Sequence, residues 1–126
     1  MNEYLHKDLT EKIIKCLYRV HDELGYGFLE SVYENALIIE LQDIGLQVES
    51  QKDLEVYYKG ILVGNYRTDL IIENKVIVEL KSVSQLNKAH EVQLVNYLKA
   101  TNIEIGLLVN FGEKLNFKRK IFRNKI

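Results

Sequence analysis

The sequence has no proline and a single cysteine, Cys16. With one thiol, neither a disulfide framework nor a thiolate zinc site can be built within one chain. Cys16 falls in a helical pattern, where a cysteine reads as a small core residue. No apolar run approaches the roughly 18 residues of a membrane span. The polar start MNEYLHKDLT has no apolar signal region. The expectation is a soluble, cytoplasmic protein that makes no contact with membrane. A strong net charge is missing too: −1 at pH 7 provides no global basic signature. Linker-like composition and internal repeats are also absent, so residues 1–126 are expected to form one domain.

What is present supports a packed fold. At 47% hydrophobic and 28% charged, the chain can bury a core and does not have a disordered composition. Its charge is unevenly spread. Residues 113–126 carry Lys114, Lys118, Arg119, Lys120, Arg123 and Lys125 against Glu113 alone, so the remainder is acidic. Such a tail fits either a strip that contacts phosphates or an edge strand guarded by cations against aggregation.

Apolar periodicity then lays out the elements. Asp8 and Glu11 have capping-box spacing, with Asp8 as the candidate N-cap. Ile13, Ile14, Leu17, Val20 and Leu24 recur at helical spacing, predicting a helix from about Leu9 to Leu24 that ends at Gly25-Tyr26-Gly27. A second helix is predicted from about Leu29 to Asp43, stopped by Gly45, with Glu30 and Glu34 on one side of it. The period then becomes two. Leu46 and Val48 open one strand, and Leu54, Val56 and Tyr58 alternate in another. After Lys59-Gly60 come Ile61 to Val63, then a break at Gly64-Asn65, then Tyr66 to Lys81 as two strands about Glu73-Asn74-Lys75. A third helix from about Asn87 to Ala100, capped by Ser84 or Asn87, leads to an apolar strand at Ile105–Val109. That helix serves as a crossover, placing the strand parallel to the one bearing Glu79. Phe117 to Phe122 would form a last edge strand. The fold class is α/β (α+β), with a mixed central β-sheet flanked by helices.

One stretch does not fit a purely structural reading. Along VIVELK, Glu79 and Lys81 share a face with Ile77, while Val76, Val78 and Leu80 share the other. Burying either charge without a partner costs several kcal/mol. Each charge has an ordinary explanation. Asp69 would pair with Arg67 or Lys75, Glu79 and Lys81 would pair with neighbours at a sheet edge, Gln93 would lie on the surface, and Tyr97 would be core with its hydroxyl out. Jointly these explain less well why so apolar a sheet holds two carboxylates and a lysine.

The pattern Asp69, nine residues, then Glu79-x-Lys81 resembles the PD-(D/E)XK nuclease superfamily, whose core is restriction-endonuclease-like. Two further motifs carry the resemblance. Gly27-Phe-Leu-Glu30-Ser-Val-Tyr33 is similar to the Gly-x-x-Glu-x-x-Tyr signature of the GxxExxY branch. Gln93-Leu-Val-Asn-Tyr97 is similar to the Gln-x-x-x-Tyr helix motif of exonuclease-like branches. Thr68 stands where the superfamily often has proline. The resemblance implies a Mg²⁺- or Mn²⁺-dependent nuclease that hydrolyses DNA (or RNA) phosphodiesters. It implies Asp69, Glu79 and Glu30 as metal ligands, joined by the Leu80 carbonyl. Lys81 would orient the attacking water, and Gln93 and Tyr97 would support the site. Glu34 is the substitute for Glu30. The alternative is a non-catalytic nucleic-acid- or protein-binding module on the same fold. A homodimer formed through the 117–122 edge would enlarge the binding surface.

His6, His21 and His90 lie on separate elements with no ligand spacing, and read as surface or cap residues. Tyr57, Tyr58 and Tyr66 cluster around the strands, either as platforms for bases or as half-buried strand tyrosines, the commoner fate.

Overall fold

The computed structural model describes residues 5–123. Helix α1 (Lys7–Leu24) buries Ile13, Cys16, Leu17 and Val20 along one stripe. Its N-cap is His6, in a left-handed conformation at φ 56°, rather than Asp8. Asp8 lies inside the first turn instead, where its charge complements the helix dipole. Helix α2 (Glu30–Asp43) buries Tyr33, Leu37 and Leu41, and Glu30 occupies its first turn.

The predicted short strands of the middle region merge into one long hairpin. Strand β1 (Val48–Tyr58) pairs antiparallel with β2 (Ile61–Ile72) along nearly its whole length. Gly64-Asn65, read as a break, lies within the ladder opposite Val56 and Glu55. Cross-strand hydrogen bonds there override the weak strand propensity of Gly and Asn. The break is absorbed by a register shift between Val56 and Tyr57.

Strand β3 (Val76–Lys81) returns antiparallel to β2, from Ile72↔Val76 to Leu70↔Val78. Helix α3 (Lys88–Lys99) follows, capped by Asn87 and not Ser84. The Asn87 side chain accepts from the His90 N–H, and the His90 ring accepts from the Asn87 N–H. The helix carries the chain over to β4 (Ile105–Phe111), which pairs parallel to β3 as the crossover reading requires. Strand β5 (Leu115–Ile121) closes the order β1-β2-β3-β4-β5.

Helices cover both faces of this sheet. Leu70, Ile72, Val76, Val78, Leu80, Leu107 and Val109 pack with α1 and α2. Ile71, Ile77 and Leu108 pack with Leu94, Tyr97 and Leu98 of α3. A Cβ on Gly106 would come within 2.7 Å of Leu94, so α3 lies close over β4 only because this residue is glycine. On the basic edge, Glu91 of α3 holds Lys120 at 2.6 Å and Lys118 at 3.4 Å. Among the described residues no helix is long and apolar enough to cross a membrane.

Candidate active site at the fork between two strands

The β2–β3 ladder stops at Leu70↔Val78, and two carboxylates take over where the next backbone bonds would form. The Asp69 N–H donates to Glu79 Oε2 at 3.1 Å, and the Leu80 N–H donates to Asp69 Oδ2 at 2.7 Å. Each acid thus satisfies an N–H of the opposite strand. Asp69 and Glu79 lie on the same face of the sheet, toward α3. Arg67, one of the ordinary partners expected for Asp69, is instead bonded to Asp53 at 2.9 Å.

A local irregularity sets this fork. In β1, Gln51 takes φ 55°, between the pairs Ser50↔Leu70 and Lys52↔Thr68. The face alternation of β2 changes at the same level. Leu70 packs toward α1 and α2, whereas Tyr66, four residues earlier, packs toward α3. Thr68, in the position where the superfamily often has proline, is fully buried, and its hydroxyl reaches the Leu70 carbonyl at 3.5 Å.

Burial governs the electrostatics. Glu79 is only 5% exposed. Burial pushes its carboxyl up to about 8, with Asp69's charge adding to the rise and the Asp69 N–H and Lys81 opposing it. As an acid it donates to Asp69. Burial also raises the Asp69 carboxyl. The Leu80 N–H opposes that shift, Glu30 adds to it, and Lys81 lowers it. Lys81 is half-buried at the end of β3 and is the cation whose charge acts on both acids.

Helix α3 contributes the third side. Tyr97, 7% exposed, stacks on Tyr66 with ring centroids 4.2 Å apart. Burial, followed by Glu79, Tyr66 and Asp69, pushes its phenol up to about 12, while a hydrogen bond with Gln93 pulls it down. Gln93 itself is exposed.

The Gly-x-x-Glu-x-x-Tyr stretch sorts into support and function. Gly27, at φ 106°, takes a backbone that residues with a Cβ rarely adopt. Tyr33 is fully buried and stacked on Phe111 at 4.3 Å. Its hydroxyl donates to the Gly25 carbonyl at 2.8 Å and accepts from the Phe28 N–H at 3.3 Å. Ser82, just past β3, donates to the Phe28 carbonyl at 2.8 Å. These bonds fix the loop that delivers Glu30, which is exposed and whose charge acts on Asp69. Glu34 behaves differently. It is 9% exposed, and the Gln51 amide donates to both of its oxygens, at 2.9 and 3.0 Å. The pair expected to share one environment is therefore split, with Glu30 toward solvent and Glu34 tied to β1.

Among the described residues, no three His, Cys, Asp or Glu side chains converge closely enough to hold a metal ion by themselves. The trio Asp69, Glu79 and Glu30 is thus not assembled as a cage. The donor set does suit a hard cation of the Mg²⁺ class: two opposed carboxylates and backbone carbonyls supply only oxygen, and Mg²⁺ keeps several of its waters.

Sequence reading missed two residues here, Gln51, which holds Glu34, and Asn110; Tyr66 is a half-buried strand tyrosine that also braces Tyr97. Asn110 is 3% exposed, accepts from the Val83 N–H at 2.9 Å and donates to the Val83 carbonyl at 2.8 Å. It prolongs the β3–β4 pairing past Lys81. The sequence signal was an amide interrupting the apolar run between Val109 and Phe111.

A fork of this kind, with Asp and Glu-x-Lys on adjacent strands of a mixed sheet covered by helices, is the arrangement of a nuclease-type core. A family model of the PD-(D/E)XK nuclease superfamily matches residues 7–123, and the chain belongs to that superfamily. The fold is also similar to that of a solved protein described as "Crystal structure of SSO0001", with a TM-score of 0.59 and 19% identity over 75% of this chain. The match takes in half of that longer chain, and at this identity it speaks for the fold alone. No curated protein matches the sequence.

Proposed function

We propose that the protein is a metal-dependent nuclease of the GxxExxY branch, cleaving phosphodiester bonds of DNA. The observation that carries this reading is the pair of carboxylates, Glu79 buried and Asp69 half-buried, crossed at the strand fork beside Lys81. Capping two backbone N–H groups needs only neutral acceptors, so it does not account for two acids whose carboxyls are raised by burial.

Asp69 and Glu79 would hold Mg²⁺ or Mn²⁺ by carboxylate oxygens, with the Leu80 carbonyl and a water-mediated Glu30 completing the set. The bound cation would neutralise the phosphate and increase the acidity of the attacking water. Hydrolysis joins the water oxygen to phosphorus and breaks one P–O ester bond. Lys81 orients that water and offsets charge on the phosphoryl oxygens. Tyr97, kept protonated well above neutral pH, donates its hydroxyl rather than acting as a base. Gln93 holds that hydroxyl in place.

The test is cleavage of labelled single-stranded, duplex and branched DNA with Mn²⁺ or Mg²⁺, comparing the parent with Asp69→Ala and Lys81→Ala. Cation-dependent cutting by the parent should fall at least about a hundredfold in both variants. Cutting that survives in both would remove the site.

The looseness of the acidic cluster favours a second reading, a non-catalytic module on the same fold. It requires nucleic-acid or protein binding that persists in Asp69→Ala, with no cleavage by the parent. Pairing of two copies along the outer edge of β5 would widen the surface in either case, and a monomeric mass in solution would rule that out.

A further inference from the structure

Beside the fork lies a groove of about 580 Å³ between the β1–β2 hairpin and the C-terminal half of α3. Glu55, Tyr57, Tyr66, Asn96, Lys99 and Ala100 line it. Tyr66 is shared between the groove and the site, because its ring stacks on Tyr97 and its hydroxyl donates to the Asn96 carbonyl at 3.4 Å. A path of aromatic rings therefore runs from the groove to the acidic pair.

The far wall is unusual for a free surface. Tyr57 is 58% exposed, yet Glu55 accepts its hydroxyl proton at 2.9 Å and holds the ring in place. Tyr58, Ile61, Leu62 and Val63 are exposed around the same hairpin end, past the register shift. Charges in the groove are mixed: Glu55 and Lys99 both line it, the Lys99 ammonium lying over the Phe122 ring at 5.7 Å, and at its outer side Arg67 is bonded to Asp53. Duplex binding rests on many phosphate contacts and needs a basic surface, which these walls do not supply. A flat, uncharged group suits them better, with one cation at the rim for the attached phosphate. A nucleobase meets that description, but only when it is free of its partner strand. The volume falls in the range that takes a small organic group.

We propose that this groove receives an unpaired base of the substrate strand, stacked on Tyr57, and that the substrate is single-stranded or locally unpaired DNA. The proposal rests on the nuclease reading of the neighbouring acids. Tyr57 provides the face, Lys99 meets the flanking phosphate, and the Tyr66–Tyr97 stack leads the strand toward the fork.

Binding of a fluorescein-labelled oligothymidylate of about twelve nucleotides, and of a duplex of equal length, measured in EDTA by anisotropy, tests it. The single strand should bind at least about tenfold more tightly than the duplex. Tyr57→Ala should weaken the single strand at least about fivefold, the lower end for one lost stacked base. Tyr57→Phe should retain binding, since the ring remains, and Lys99→Ala should weaken it and flatten its salt dependence. Equal affinity for both forms, affinity for neither, or indifference to Tyr57→Ala overturns the proposal. The two readings fail separately. Tyr57-dependent strand binding with no cleavage under any cation would remove the nuclease and keep the groove. Cation-dependent cutting of duplex, unchanged in Tyr57→Ala, would keep the nuclease and remove the groove.

Discussion

Glu79 concentrates the energetic conflict of the site in one residue. An exposed glutamate is ionised well below neutral pH, whereas burial holds this one near 8. Between about pH 4.5 and pH 8 the folded chain keeps a proton that the unfolded chain has released. This group's contribution to stability must therefore fall as pH rises through that window, by about 1.4 kcal/mol per pH unit at most. Thermal melts in EDTA should show the midpoint dropping from pH 6 to pH 8.5. Glu79→Gln should flatten that slope and melt higher than the parent at pH 8.5. A parent melt independent of pH would mean that Glu79 is not held as an acid. Tyr33 shows a different limit at the same scale. It belongs to a motif associated with function, yet its contacts make it a brace for the loop that presents Glu30. Motif spacing showed that Glu30 and Tyr33 belong together, but not which of the two performs chemistry.

At the scale of elements, helix α3 depends on its seat over β4. Gly106 leaves room for the buried Leu94, and Gly106→Ala would place a methyl group 2.7 Å from its Cδ1. Overpacking of that kind costs about 1–3 kcal/mol, so the urea midpoint should fall accordingly. Because Tyr97 lies on the same helix, the Tyr66–Tyr97 contact should loosen as well. An unchanged midpoint would mean that α3 adjusts freely. Helix α1 was legible from its strong apolar stripe, whereas α2 and α3 have weak ones and were bounded mainly by Gly45 and the Asn87 cap. The hairpin was legible only in part. Gly64 and Asn65 look like a break in one dimension, yet in the sheet each sits opposite a β1 residue that completes its hydrogen bonds.

At the scale of the whole molecule, two strands, two helices and the loop before α2 meet at one fork, so occupancy of the fork should stabilise the entire fold. A ligand at a hundred times its dissociation constant adds about 2.7 kcal/mol. Mn²⁺ should raise the melting temperature by several degrees at pH 8. The rise should be smaller at pH 6, where the Glu79 proton must first be displaced. Asp69→Asn should lose the effect at both pH values. A shift of equal size in that variant would place the cation elsewhere.

By itself, the sequence determined the order of elements, the parallel placement of β4, and the face shared by Glu79 and Lys81. Each of these follows from local periodicity or from the handedness of a crossover. Only the tertiary structure decided that Asp69 and Glu79 close on each other's strands, that Glu34 is taken by Gln51, and that Tyr66 bridges the site and the groove. Those outcomes depend on where β2 and β3 separate and on a kink at Gln51. They are set by a balance among distant contacts that no local pattern encodes.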